Sequence, residues 1–369
     1  MKILHFFKTY YPDSFGGVEQ VIYHLAEGGA KYNLKSEVLY LSRRGSARNE
    51  SYANHVTHRS NLDFYFASTG FSISAFRDFR DIASAADVVH YHFPWPFMDL
   101  VHFCCRLNKP TVVTYHSDIV KQKWLLRLYA PLMHTFLSSV DRIVATSPNY
   151  NSTSKVLQRF QNKVSIIPIG LDASEYGRVS EDKRKEWANK LGGRFFLFIG
   201  ALRYYKGLHV LLEALVSLDY PVAIVGAGPL EDNLKLLSAK LSLKNVHFLG
   251  ALPDEDKNAL LELSFCVVFP SHLRAEAFGI SLLEGALYKK PLISCEIGSG
   301  TTYVNIDELT GLVVPPDNPL ELRKAMRRLW NNPELAESFG MQAEARYKSY
   351  FTADLMVDKY RQLYESLLT

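Results

Sequence analysis

The chain has 369 residues, 47% of them hydrophobic and 22% charged, and a formal net charge of +4. That length and balance describe a globular protein with room for two α/β domains, and exclude a disordered or fibrous chain. So small a charge, with no Lys/Arg block, argues against nucleic acid as a partner, and no uncharged run of eighteen apolar residues is present to span a membrane.

The run Ile3–Phe7 directly after Met1-Lys2 reads as the first strand of a domain rather than a signal peptide. Further strands are expected at Ser36–Leu41, Val88–Tyr91, Thr111–Tyr115 and Arg142–Thr146. The run Val164-Ser-Ile-Ile-Pro-Ile-Gly-Leu-Asp172 then follows, and a charged helix spans Ser180–Leu191. A second series follows at Phe195–Ile199, Val222–Val225, His247–Leu249, Cys266–Phe269, Leu292–Ser294 and Leu312–Val314, and a last helix covers Thr352–Leu368. Short apolar runs alternating with helical periodicity predict parallel sheets covered by helices, in two Rossmann-like halves. Cys104 and Cys105 are adjacent, Cys266 and Cys295 stand apart, and no C-x-x-C spacing occurs. Buried thiols in a reducing compartment are therefore expected rather than a disulfide frame or a metal centre.

At the first strand-to-helix turn, Tyr11-Pro-Asp-Ser-Phe-Gly16-Gly17-Val-Glu19 opens a helix with Val18, Val21, Ile22, Leu25 and Ala26 on one face. Paired glycines there let a phosphate or sugar approach the backbone, although Gly-Gly also makes an ordinary tight turn. Glu19 is read as answering the helix dipole rather than touching a ligand. His116 stands at the carboxyl tip of Thr111–Tyr115, with Asp118 after it to cap or orient; His90 and His92 are equally well core residues. In the second half, Phe198-Ile-Gly-Ala-Leu-Arg203-Tyr-Tyr-Lys206-Gly207 puts two cations at one turn, close enough in sequence to clamp a diphosphate and stabilise the charge on its departure.

Ile224-Val-Gly226-Ala-Gly228-Pro229 lacks the third glycine of a dinucleotide fingerprint, so an oxidoreductase reading is weak. Asp254-Glu-Asp256 imitates a metal-holding D-x-D, but opens a helix where acidic residues are favoured anyway; no metal is expected. The most informative pair is Glu276 and Glu284. With a helix beginning near Phe278 and Gly279, Glu276 lies in the preceding loop and Glu284 in the second turn, while the N–H groups around Gly279 and Ile280 offer an anion site. Carboxylates beside an anion site suit a ligand with both hydroxyls and phosphates, such as a sugar nucleotide. Two glutamates at this spacing would by themselves be an ordinary solvated helix face.

The stretch from Phe269 to Ala286, with Lys290-Pro291 following, closely resembles the signature of the retaining glycosyltransferases of family 4, and the other motifs recur in family order. The resemblance covers nearly the whole chain. It implies the GT-B fold: two Rossmann-like domains facing each other across a ligand cleft, with the C-terminal helix crossing back to the first domain. Residues 1–170 plus the helix 352–369 would form the acceptor-side domain, and residues 171–351 the nucleotide-sugar domain, with the break near Pro168 to Asp172. Gly16 and Gly17 would line the site, and His116 would meet a donor-sugar hydroxyl through a ring nitrogen or a neighbouring carbonyl. Arg203 and Lys206 would bear the diphosphate, Glu276 would contact sugar hydroxyls, and Glu284 would hold the ribose. Gly228 would lie near the nucleotide, and Leu252, in Leu249-Gly-Ala-Leu252-Pro253, at the base. Many relatives carry arginine where this chain has Ala201, and Arg203 is taken as the substitute. No classical nucleophile is evident, and the family's commonly proposed route has the donor phosphate accept the acceptor proton on the face of departure.

The variant Glu296-Ile-Gly-Ser-Gly300-Thr with Tyr303-Val-Asn305 resembles bacterial transferases that build O-antigen and related surface polysaccharides, often from GDP-mannose or a GDP-deoxymannose. This implies a nucleoside diphosphate sugar donor, a saccharide acceptor on a polyprenyl diphosphate, no cofactor, and a cytoplasmic protein in weak peripheral contact with the inner membrane. Lys121-Gln-Lys123-Trp124-Leu-Leu-Arg127-Leu-Tyr129, with exposed-looking aromatics in Phe93-Pro-Trp95-Pro-Phe97, is the candidate contact surface. A transferase using a UDP-hexose, a sugar-nucleotide epimerase of the same fold and a non-enzymatic sugar-nucleotide sensor are the alternatives.

Overall fold

Parallel strands that are covered on both faces are rich in apolar residues, and this requirement shapes most of the strands in both halves of the molecule. The structure, a computed structural model, describes every residue except Ser68, Lys121 and Gln122. It divides into two units, Met1–Gly170 with Ala353–Thr369, and Leu171–Thr352.

The first unit is built on an eight-stranded sheet of β1 (Lys2–Phe6), β2 (Lys35–Ser42), β3 (Ala47–Tyr52), β4 (His55–Asn61), β7 (Val88–Phe93), β8 (Thr111–Tyr115), β9 (Arg142–Ala145) and β10 (Val164–Ile166), in the order β10-β9-β8-β7-β1-β2-β4-β3. Ile3, Leu4, Phe6, Val88, Val112, Val113 and Ile143 are fully buried in it. A separate hairpin joins β5 (Phe64–Phe66) to β6 (Thr69–Phe71). The sheet is parallel except at its edge, where β3 runs antiparallel to β4. The strands β3 to β6 were not expected from the sequence. Ala47–Tyr52 is a polar, largely exposed edge strand, and β4 buries His55, Thr57 and Ser60 rather than aliphatic residues, so neither carries an apolar signal.

The strand expected to end at Tyr91 continues to Phe93, which places His92 within the sheet. His5 pairs with His90 across β1 and β7, and His92 with Thr114 across β7 and β8, so one face of the sheet centre is polar. The C-terminal helix Ala353–Glu365 supplies hydroxyls to that face. Tyr364 Oη lies 2.7 Å from His90 Nδ1, and Tyr360 Oη 2.7 Å from Thr114 Oγ1.

The second unit carries a six-stranded, all-parallel sheet of β11 (Phe196–Ile199), β12 (Val222–Val225), β13 (Val246–Gly250), β14 (Cys266–Phe269), β15 (Leu292–Cys295) and β16 (Gly311–Val314), ordered β13-β12-β11-β14-β15-β16. The order reverses at β11 and β14, the switch point beside which loops can diverge and open a crevice. The charged helix is Glu181–Leu191, with Ser180 as N-cap accepting from Lys183 N–H and Gly192 closing it in the left-handed conformation. All four cysteines are free. Cys105, Cys266 and Cys295 are buried, but Cys104, in the last turn of the helix Pro96–Cys105, is exposed, contrary to the expectation of buried thiols.

Burial pushes the imidazoles of His5 and His116 down to about 3, and those of His90 and His92 well below their usual value. The unfolded chain protonates these rings near pH 6.5, so stability is full above that pH and is lost as pH falls toward 3. Four such rings give a slope of up to about 5 kcal/mol per pH unit. The unfolding temperature is expected to drop steeply between pH 6.5 and 5; a flat profile over that range would show that the cluster is protonated in the native state.

Candidate active site

In the first unit, the helix Gly17–Gly29 starts without a side-chain cap, after an extended Gly16. Its first amides are therefore not met by a capping side chain, and Gly16 and Gly17 are both exposed. Glu19 is buried and does more than answer the helix dipole. It accepts from Thr9 Oγ1 at 2.9 Å and from Ser14 Oγ at 2.7 Å, fixing the loop that leads into the helix. A Cβ on Gly16 would sit 2.6 Å from Glu19 Oε2, so glycine there makes room for the brace.

His116 follows β8, its backbone N–H donating to Phe93 O at 3.0 Å. The side chain is 7% exposed, and its Nε2 lies 3.0 Å from His92 Nδ1. Asp118 anchors the following turn by accepting from Tyr115 Oη and Ser154 Oγ, both at 2.8 Å. His90 and His92, read as ambiguous in the sequence, are core residues in burial but polar in their bonding, since His90 Nε2 meets Thr114 Oγ1 at 2.7 Å.

In the second unit, the loops after β11 and β14 bring Lys206 and Glu276 together. Nζ is 2.5 Å from Oε2, with the side chains only 11% and 12% exposed. The short turn Tyr204–Lys206 carries the lysine, and Gly207 ends it at φ 66°. Any Cβ at Gly207 would fall 1.9 Å from Pro270 O, so only glycine lets these two loops touch. His272 completes the join, donating its backbone N–H to Tyr205 O at 3.0 Å and lying with Nε2 2.9 Å from Tyr204 O. Its other ring nitrogen meets Asp317. Burial, and then Glu276, push the Tyr205 phenol up to about 12. Arg203, at the start of the same turn, is exposed.

The helix begins at Ile280, with Gly279 before it at φ 94° and Phe278 buried. Glu276 therefore lies in the loop and Glu284 in the second turn. Glu284 is 5% exposed, and its Oε1 meets Tyr176 Oη at 3.1 Å and Lys257 Nζ at 3.2 Å. Lys257 and Tyr176 carried no motif in the sequence. Burial pulls Lys257 down, but the charges of Glu284 and Asp254 outweigh it and its pKa ends above the usual value.

Gly228 passes tightly against Leu202, where a Cβ would lie 2.6 Å from Leu202 O, and Leu252 is half-buried just after β13. Asp254 and Asp256 do open a helix, Asp254–Leu263. Asp256 accepts from Trp187 Nε1 at 2.9 Å and pairs with Lys183 at 2.8 Å.

The proposed membrane surface differs in composition from the sequence reading. Phe93, Trp95 and Phe97 are core residues, 0–3% exposed, because the Trp95 indole donates to Gly70 O and packs on Phe6. Lys121 and Gln122 lie outside the described residues. Trp124 is 79% and Leu128 82% exposed, and Phe64, Tyr65 and Phe66 of the unforeseen hairpin are exposed as well. Phe66, Phe71, Leu125, Leu128 and Tyr129 line a groove of about 300 Å³. No helix among the described residues is long and apolar enough to cross a membrane.

Residues 15–175 match the family described as Glycosyltransferase Family 4, and residues 179–346 match Glycosyl transferases group 1. The chain is 58% identical over 353 residues to the D-rhamnosyltransferase WbpZ of Pseudomonas aeruginosa, covering 96% of this chain and 93% of that one. It is 48% identical over 370 residues to the O-antigen chain mannosyltransferase C of Escherichia coli, covering 100% and 99%. Among solved structures, sucrose-phosphate synthase from Thermosynechococcus elongatus superposes with a TM-score of 0.82 at 19% identity, over 99% of this chain and 98% of that one. Anabaena HepE, solved with UDP and glucose, gives 0.78 at 17%, over 99% and 100%. Those two likenesses establish the fold, GT-B.

The Lys206–Glu276 pair yields a stability test. Lys206→Met leaves a largely buried carboxylate without its cation and is expected to cost about 1–3 kcal/mol in urea unfolding. The double variant Lys206→Met/Glu276→Gln is expected to recover part of the loss. A single variant as stable as the parent would mean that solvent already screens the pair.

Proposed function

The chain belongs to the group 1 and family 4 glycosyltransferases, and on that footing we propose that it is a retaining, metal-independent hexosyltransferase. Its donor is a GDP-sugar, mannose or a related deoxyhexose, and its acceptor a saccharide on a polyprenyl diphosphate, in O-antigen or similar surface-polysaccharide synthesis. The observation that carries this reading is the near full-length similarity to a rhamnosyltransferase and an O-antigen mannosyltransferase. The meeting of Lys206 and Glu276 at a strand switch point supports it.

Lys206 and Arg203 take the diphosphate and stabilise the charge that grows on it as the glycosidic bond breaks. When the phosphates draw Lys206 away, Glu276 is released to accept from sugar hydroxyls. Glu284 uses Oε1 for Lys257 and Tyr176, which leaves Oε2 for a ribose hydroxyl. The amides at Gly279 and Ile280 add positive potential from the helix end. In the first unit, Gly16 and Gly17 admit substrate to the backbone, and neutral His116 meets a sugar hydroxyl. Trp124, Leu128 and the exposed hairpin strand Phe64–Phe66 provide a weak contact with the cytoplasmic face of the inner membrane, where the lipid-linked acceptor resides.

The decisive experiment incubates the protein with a panel of nucleotide sugars and saccharide acceptors. Acceptor-dependent release of GDP is expected; an isomerised donor would make the protein an epimerase, binding without turnover a sensor, and preference for UDP a UDP-hexose enzyme. Activity is expected to survive excess chelator, and complete loss restored by manganese would overturn metal independence. Calorimetry with the preferred nucleoside diphosphate separates the two glutamates. Glu276→Ala is expected to bind it at least as well as the parent, since Lys206 is freed, yet to lose transfer. Glu284→Ala is expected to weaken it by about 1–3 kcal/mol. The reverse ranking would exchange their roles.

A further inference from the structure

Three histidines at the centre of the first unit form a chain of ring-to-ring hydrogen bonds. His116 Nε2 lies 3.0 Å from His92 Nδ1, and His92 Nε2 lies 3.2 Å from His5 Nδ1. All three are at least nine-tenths buried, and burial disfavours their charged forms. A neutral imidazole has one N–H and one bare nitrogen, so His92 must donate to one neighbour and accept from the other. Only two arrangements satisfy both bonds. Either all three rings carry the proton on Nε2, and His116 presents a bare Nδ1, or all three carry it on Nδ1, and His116 presents an N–H there.

We propose that His92 and His5 are positioning residues that fix the tautomer of His116, and with it whether the Nδ1 of His116 accepts from or donates to its ligand. This rests on the reading of His116 as a contact to the donor sugar. The control reaches across three neighbouring strands, because β1, β7 and β8 hold the rings on one face. His90 stands outside the chain. Its two nitrogens meet the hydroxyls of Tyr364 and Thr114, and hydroxyls serve either tautomer. His5, His90 and His92 also lie close enough to hold an ion, but both ring nitrogens of His90 and of His92 are already engaged in hydrogen bonds.

The test is a two-bond proton–nitrogen correlation spectrum of the full chain labelled with ¹⁵N-histidine, at pH 7, with rings assigned by single substitutions. The expected result is one shared tautomer for His5, His92 and His116; a mixture among the three, or a cationic ring, overturns the proposal. His5→Leu is expected to shift the His116 ring resonances and lower turnover about tenfold, the scale on which a histidine's orienting partner is felt. His5→Asn, whose amide can donate or accept near the place of Nδ1, is expected to restore most of both. An unchanged His116 spectrum in a folded His5→Leu protein also overturns it, and should that variant fail to fold, the parent spectrum still decides. A shared tautomer combined with normal turnover by His116→Ala would instead sink the sugar-contact reading and leave the coupled rings standing.

Discussion

Lys206 and Glu276 stand 70 residues apart in the chain and 2.5 Å apart in space because β11 and β14 are hydrogen-bonded neighbours at the point where the sheet order reverses. Neighbouring groups at those strand ends hold the two loops in place. Gly207 has no Cβ to collide with Pro270, His272 ties the two loops by one backbone and one ring bond, and Gly279 turns the chain into the helix that bears Glu284. A cation and an anion placed together in a largely buried position hold each other's charge in check. The pair thereby ties the loop after β11 to the loop after β14.

The two units solve the problem of buried polarity differently. In the second, charge is buried against opposite charge, as with Lys206 against Glu276 and Glu284 against Lys257. At the sheet centre of the first, the polar groups are kept neutral: burial holds the four central histidines uncharged, and they are satisfied by one another, by Thr114, and by Tyr364 of the C-terminal helix. A neutral network leaves hydrogen-bonding capacity without a field, which suits recognition of hydroxyls. The ionic arrangement suits phosphates. That helix is thus more than a cover, because without it His90 Nδ1 would lose Tyr364 Oη and Thr114 Oγ1 would lose Tyr360 Oη as partners.

Aliphatic strands were legible in the sequence to within a residue or two. Thr111–Tyr115, Val222–Val225 and Cys266–Phe269 match as read, since a strand covered on both faces must advertise itself in Val, Ile, Leu and Phe. Polar strands were not. His55–Asn61 is stabilised by pairing with β2 and by side-chain bonds such as Ser60 to Asp78, none of which leaves a local periodicity. The Pro-flanked aromatics Phe93, Trp95 and Phe97 looked exposed because proline marks loops, whereas what buries them is tertiary, the carbonyl of Gly70 and the ring of Phe6. The motif glutamates were visible; Lys257 and Tyr176, which hold Glu284, were not, because partners brought in from other elements have no spacing to betray them.

The histidines mark where sequence reading ends and geometry must take over. Period-two alternation puts His90 and His92 on one face of a strand, and that much can be read from Val88–Phe93 alone. It does not say that β1 and β8 flank that strand, which is what sets His5 beside His90 and brings His116 within reach of His92. A ring lodged between two other rings cannot choose its tautomer independently, so the chemistry of the one histidine at the strand's tip is written in two residues that carry no motif. Sheet order, rather than any local pattern, thereby decides what the outermost ring can offer to a ligand.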